Sequence, residues 1–274
     1  MLKQRLITGA ALVALVLALL LLLPASVFLA FAAVGLLLAA WEWTRLGCAR
    51  SLGMRIAYLL VVLAAMALLY GQGAAQREMV LVAGCLWWAY SFYLIRRYPA
   101  LGAHWRHPLL LALTGLLVLL PAWTALLHLN EAPTRAPLIL LLLGLVAAAD
   151  IGAYFSGRRF GRTKLAVRVS PNKTWEGFAG GTLLCCVLAL GVFLYWRGGD
   201  YGSPLQLVQV VAAALSIAIF SVVGDLFESM IKRQAGKKDS GNLLPGHGGV
   251  LDRIDSITAA LPLYALTLQL VGLP

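Results

Sequence analysis

Nine apolar segments, each long enough or nearly so to cross a bilayer as a helix, constrain this chain more than any other feature of it. They fall near residues 6–23, 26–43, 54–70, 79–95, 108–127, 137–155, 178–196, 205–227 and 254–272. A helix satisfies every backbone donor and acceptor within one segment, so helices are the expected spanning form. Composition agrees, with 61% hydrophobic and 12% charged residues in 274. The expected fold is all-α, a polytopic integral membrane protein of about nine transmembrane helices. Pro24, Pro99, Pro133, Pro171, Pro204 and Pro245 lie in the connections, and Pro121 and Pro262 inside spans, where kinks are expected. Lys3 and Arg5 precede an apolar run as in a signal peptide, but the run to Leu23 is long and a second follows at once. A retained first span is expected.

The charges orient the spans. Of the 22 lysines and arginines, 19 lie at the N-terminus or in the even-numbered connections. The other three are Arg77, Arg135 and Arg197. The positive-inside rule then places the N-terminus in the cytoplasm and the C-terminus outside, in an inner or plasma membrane. The same rule accounts for the net charge of +11 without nucleic acid as a partner. Trp41, Trp43, Trp123, Trp175 and Trp196 lie near span ends and are expected to anchor at the interface. Cys48, Cys85, Cys185 and Cys186 have no metal-ligand spacing and read as packing residues.

Chemistry is expected only in the second half. Before residue 136 the carboxylates are Glu42, Glu78 and Glu131, each near an expected interface. Residues 1–135 are therefore expected as a lipid-facing scaffold and 136–274 as the part carrying catalytic loops. Three constellations follow. Asp150 lies within a span, a costly place for a carboxylate unless it is paired or solvated. It reads either as an ion pair with Arg158 or Arg159 or as the wall of a polar cavity. Ser170-Pro-Asn172-Lys173-Thr174 ends a loop with six positive charges. It reads as a turn offering N–H groups, hydroxyls and Lys173 to a phosphate, or as the N-cap of the next helix; the whole loop also suits anionic lipid headgroups.

The third constellation, Gly224 to Ser256, holds five of the eleven acidic residues: Asp225, Glu228, Asp239, Asp252 and Asp255. Lys232, Arg233, Lys237, Lys238 and Arg253 balance them. Asp225, Glu228, Ser229 and Lys232 share a helix face by their spacing. Asp252 and Asp255 open the last span, as caps or as ligands. Between them, Pro245-Gly246-His247-Gly248-Gly249 can bring backbone amides close to a ligand. Carboxylates from two helix ends suit Mg²⁺, which keeps waters and bridges phosphates, while the cations neutralise remaining phosphate charge. A Walker A loop is excluded, because Asn242 stands where its lysine is required.

The run Ser229-x-Ile231-Lys232-Arg233-x₄-Lys238-Asp239-x-Gly241-x₂-Leu244-Pro245-x-His247-Gly248-Gly249-Val250-x-Asp252-Arg253-Ile254-Asp255 closely resembles the motif of phosphatidate cytidylyltransferases, the CDP-diacylglycerol synthases. Ser170-Pro-x-Lys173-Thr174-x-Glu176-Gly177 and Asp150-x-x-Ala-Tyr154 resemble the same family. The resemblance covers roughly residues 150–256. It implies that CTP and phosphatidic acid give CDP-diacylglycerol and pyrophosphate with Mg²⁺ required; a second, monovalent cation and a homodimer are left open. Asp225 and Asp252 are the first expectation for metal ligands, with Asp255 a third. Lys173, Lys232, Arg253 and His247 are expected in catalysis, and Ser170, Asn172, Lys173, Arg233, Lys237, Lys238, Asp239, Gly248 and Gly249 around the substrate. A lipid or polyprenol kinase would share the generic features, as would, less well, a transporter, whose charges should line a path across the bilayer.

Overall fold

The computed structural model describes residues 2–100, 107–199 and 202–271, so Arg106 of the fourth connection lies outside the described residues. Nine α-helices run through them: α1 Leu2–Leu21, α2 Ala25–Trp43, α3 Leu52–Tyr70, α4 Ala74–Arg97, α5 Pro108–Glu131, α6 Arg135–Phe160, α7 Trp175–Trp196, α8 Pro204–Gln234 and α9 Leu251–Val271. Seven of these, α2 to α8, are long and apolar enough to cross a membrane. The described apolar part of α1, Ile7–Leu21, is shorter, and α9 carries Asp252, Arg253 and Asp255 in its first two turns. The chain is an integral membrane protein. Its lipid side is apolar in the way a bilayer requires, with Leu22, Leu60, Leu68, Leu86 and Leu183 each well exposed.

Local chemistry explains the helix boundaries. Ser51 accepts a hydrogen bond from Met54 N–H at 3.2 Å, and Ser203 with Gln206 forms a reciprocal capping box ahead of Pro204. A π-helical turn, Thr44–Cys48, closes α2, with Gly47 at φ 131° ending it. Pro121 lies inside α5 and packs where Gly84 of α4 leaves room; a side chain at Gly84 would overlap the proline ring.

Between α6 and α7 the expected plain loop contains a two-stranded antiparallel hairpin, β1 Lys164–Ala166 and β2 Ser170–Thr174. It is anchored at its base by Glu176, which accepts N–H bonds from Arg162 and Thr163 at 3.1 Å. Thr174 then caps α7 by accepting from Gly177 N–H at 3.1 Å, so this residue takes the capping role.

Two of the expected interfacial tryptophans are instead core residues. Trp43 and Trp123 are buried, and their indole N–H groups donate to Leu111 O at 2.8 Å and Met66 O at 3.0 Å. A buried indole needs such an acceptor, and a helix carbonyl of a neighbouring span supplies it. Trp175 and Trp196 do remain exposed. The three positive charges off the basic side also have structural work. Arg77 donates to Leu69 O and Tyr70 O at the end of α3 and pairs with Glu131 at 2.6 Å, and Arg135 donates to Leu23 O at 2.7 Å. Arg197 stacks over Phe193 at 5.7 Å.

The core that supports the site lies where α2, α4, α5, α8 and α9 meet. Trp43, Trp88, Phe227, Met230 and Leu251 are buried together there, with Trp88 edge-on to Phe227 at 5.8 Å. Above this floor, α8 and α9 approach closely at Gly224, where a Cβ would overlap Asp255 O and Ala259. Only glycine permits that approach, and it sets Asp225 beside the acidic start of α9.

Candidate active site

A buried ion pair lies at the centre. Lys232, near the end of α8, donates to Asp252 Oδ1 at 2.6 Å and lies 3.1 Å from Glu228 Oε1. All three residues are buried. Charges so placed persist only when paired and hydrogen-bonded. Asp252 also accepts from Ser240 N–H at 2.9 Å and Gly249 N–H at 2.8 Å, both at Oδ2. Both its oxygens are therefore engaged by protein donors. Asp252, expected first as a metal ligand, holds the 235–250 loop to α8 and α9. Gly249, expected to offer its amide to substrate, donates that amide to Asp252.

Glu42 was not expected here. It is fully buried at the end of α2 and accepts from Ser240 Oγ at 3.0 Å, Val250 N–H at 3.1 Å and Leu251 N–H at 2.8 Å. A Cβ on Gly241 or Gly249 would overlap its carboxylate. The scaffold half thus reaches into the site. The available signal was the one applied to Asp150: a carboxylate at the end of a long apolar run is costly without a partner.

Beside this knot opens a polar cavity of about 420 Å³, lined by Asp150, Asp225, Lys232, Asp239, Asp252, Arg253 and Asp255, with Leu143, Val146 and Ile257 on its apolar side. That volume lies within the range of about 300–1,000 Å³ usual for small-molecule sites. Asp225 pairs with Lys173 of β2 at 2.5 Å, because the hairpin carries Lys173 to the cavity edge. Asp225 also accepts from Ser229 Oγ at 3.2 Å, the one-turn spacing read from the sequence. Asp150 is a cavity wall. Neither arginine pairs with it: Arg158 donates to Tyr154 OH at 3.3 Å and Arg159 lies over Phe160.

Asp150, Asp225 and Asp255 line the same cavity and offer hard carboxylate oxygens of the kind Mg²⁺ takes, an ion that needs one or two carboxylates besides water and phosphate. Among the described residues no three acidic, histidine or cysteine side chains are already gathered at coordinating separation. The chemistry of these donors fits the ion, which would take the rest of its shell from water and substrate phosphate.

Other expected residues are placed differently. Ser170 and Asn172 lie in β2, so the segment is a strand rather than a turn with free N–H groups entering a helix. Arg233 and Lys238 are exposed and do not line the cavity. Lys237 donates to Arg45 O at 2.6 Å, tying the loop to the end of α2. Its partial burial, with Arg45 and Arg55 nearby, holds its pKa below the usual lysine value. His247 is also outside the cavity lining and packs near Gly9 of α1, where Thr8 Oγ1 donates to Pro245 O at 3.2 Å. Gly248 supports the turn, with φ 80° and an antiparallel bridge to Leu244. The start of α1, the π-turn, the hairpin and the 235–250 loop all gather at one end of the helices.

Comparison with known proteins agrees with this arrangement. The sequence is 45% identical over 272 residues to the phosphatidate cytidylyltransferase of Pseudomonas aeruginosa, covering 99% of this chain and 98% of that one. It is 38% identical to the phosphatidate cytidylyltransferase of Haemophilus influenzae, covering 97% and 98%, and 36% identical to that of Brucella suis, covering 82% and 78%. Residues 3–271 match the cytidylyltransferase family, and the chain belongs to that family.

Proposed function

We propose that this protein transfers CMP from CTP to phosphatidic acid, releasing pyrophosphate and leaving CDP-diacylglycerol in the membrane for phospholipid synthesis. The observation that carries the reading is the cavity itself. Carboxylates and cations from α6, α8, α9 and the hairpin converge at one end of a bundle whose length matches phosphatidate cytidylyltransferases nearly end to end. At about 1.5 Å per residue, the 31 residues of α8 reach ~46 Å, beyond a hydrocarbon layer of ~30 Å. Its last turns, which carry Glu228, Lys232 and Arg233, suit the depth of lipid phosphates, where a soluble nucleotide would meet them.

The lipid phosphate is an anion at neutral pH and supplies its own nucleophilic oxygen. That oxygen bonds to the α-phosphorus of CTP while the bond to the β-phosphate oxygen breaks, and pyrophosphate carries away the electron pair. No enzyme base is needed, so the protein positions the reactants and offsets their charge. Lys173 and Arg253 would receive phosphate oxygens, Lys173 by exchanging its Asp225 partner for one of them, a role supported by their position at the cavity. Asp225, with Asp255 and Asp150, would hold Mg²⁺, whose chemistry here is Lewis-acid neutralisation of phosphate charge. Asp252 and Lys232 keep the walls in place. The loops face the cytoplasm and the C-terminus faces outward, as the charge distribution supports. Purified protein given phosphatidic acid and each nucleoside triphosphate in turn should form a cytidine liponucleotide with CTP. Absence of such a product under conditions that sustain the folded protein would reject the reading.

A further inference from the structure

Two carboxylates grip the same stretch of backbone from opposite sides. Three consecutive amides open α9: Gly249 N–H goes to Asp252, and Val250 and Leu251 N–H go to Glu42. Ser240 is shared in the same way, its N–H donating to Asp252 and its hydroxyl to Glu42. Asp252 grips from within α9. Glu42 grips from a different helix, about two hundred residues earlier in the same chain, which makes it a non-local N-terminal cap.

The placement of Glu42 is unfavourable by any local measure. It sits in the last turn of α2, at the negative end of that helix dipole, fully buried. Among the described residues it makes no ion pair. What compensates it is the positive end of α9 and the Ser240 hydroxyl. Its own position is fixed by the next residue, Trp43, whose indole bonds to Leu111 O at 2.8 Å. A carboxylate kept in this setting ties α9 and the loop to the scaffold.

We infer that Glu42 is a positioning residue for nucleotidyl transfer: it registers the first turn of α9 and residues 240–249 against α2, so that Asp239, Arg253 and Asp255 stand together on the cavity. This rests on the cytidylyltransferase reading for its catalytic consequence, but not for its structural one. Without Glu42, the Val250 and Leu251 amides lose their acceptor where Leu251 is buried, and Ser240 keeps only its backbone tie. A shift of about 1 Å in positioned groups is enough to lower turnover on the order of 100-fold.

The test uses the full chain in lipid nanodiscs as wild type, Glu42→Gln, Ser240→Ala and the double variant. Glutamine keeps the shape but turns an NH₂ group toward one of the three donors. Expected for Glu42→Gln is a fall in kcat of roughly 10- to 100-fold, with KM for phosphatidic acid changed less than about twofold. The double variant should fall little below Glu42→Gln alone, because both act through one contact. Amide exchange read by mass spectrometry should quicken across 240–251 in Glu42→Gln and leave α5 protected. A kcat within about twofold of wild type, or losses that simply add, would overturn the inference. If Glu42→Gln does not insert, Ser240→Ala decides alone: slower turnover with an unchanged thermal midpoint supports the inference, and unchanged turnover overturns it. If the wild type makes no cytidine liponucleotide, the functional reading fails, and the exchange measurement still decides whether Glu42 holds the loop.

Discussion

Asp252→Asn separates holding the site from binding the substrate. The carboxylate takes Lys232 on one oxygen at 2.6 Å, and the Ser240 and Gly249 amides on the other at 2.9 and 2.8 Å. Asparagine has one accepting end, so it keeps either the lysine or the two amides. Its NH₂ group then faces a donor. A hydrogen bond to a charged group contributes about 1.5–3 kcal/mol, and breaking a buried ion pair costs about 3–5 kcal/mol. Lys232 keeps Glu228 at 3.1 Å, which favours the lower end. The expected loss is therefore ~3 kcal/mol, a large share of the ~5–15 kcal/mol that holds a typical domain. For a chain of this size that corresponds to a fall in thermal midpoint of ~6–12 °C. Tryptophan fluorescence in detergent would follow it, because Trp43 and Trp88 lie in the core beneath the pair. Adding Lys232→Met to Asp252→Asn should cost less than the two single losses summed, since both remove one ion pair, while Glu228 loses its cation with or without the Asp252 charge. An unchanged midpoint in Asp252→Asn, together with no coupling to Lys232→Met, would refute the reasoning.

Asp225→Asn should behave in the opposite way. Its pair with Lys173 is about a third exposed on each side, so losing it costs at most ~1 kcal/mol, yet turnover at ordinary Mg²⁺ should be abolished; near-wild-type activity would remove Asp225 from the site. Gly249→Ala should be severe in expression and turnover, because its Cβ would overlap Glu42 and the Ser240 hydroxyl. Gly236→Ala, at φ 68° with open space around it, should cost only ~1–2 kcal/mol and serve as the strain control; equal effects would contradict the packing account. Impermeant labelling of a cysteine added after Pro274 should proceed from outside intact cells, and protection there would reverse the assigned orientation.

Hydropathy alone made the bundle legible. All nine helices fall on the nine apolar runs, with ends differing by up to seven residues at the polar end of α8, because spacing between charged connections is a strong signal when lipid is the solvent. The cavity was legible in part. Asp225 with Ser229, and Asp150 as a wall, follow from one-turn spacing and from the cost of a buried charge. The partners were not legible. Lys173 reaches Asp225 only because residues 164–174 form a hairpin, and short strands outside a membrane leave little pattern in the sequence. Glu42, lying next to tryptophans near a span end, resembled an interfacial residue. Only the packing of α2 on α9 shows that it is buried. The same packing removed Trp43 and Trp123 from the expected interfacial belt.

The proposed reaction is attack of phosphatidic acid on the α-phosphorus of CTP within this cavity. Its most direct test supplies the purified protein with phosphatidic acid and CTP labelled in either the α- or the γ-phosphate, then follows label into the lipid fraction. Label in the α-phosphate should enter the lipid in equal amount to the pyrophosphate released, while γ label leaves entirely in pyrophosphate. Transfer of γ label into lipid, with CDP as the soluble product, would contradict it and make the protein a lipid kinase.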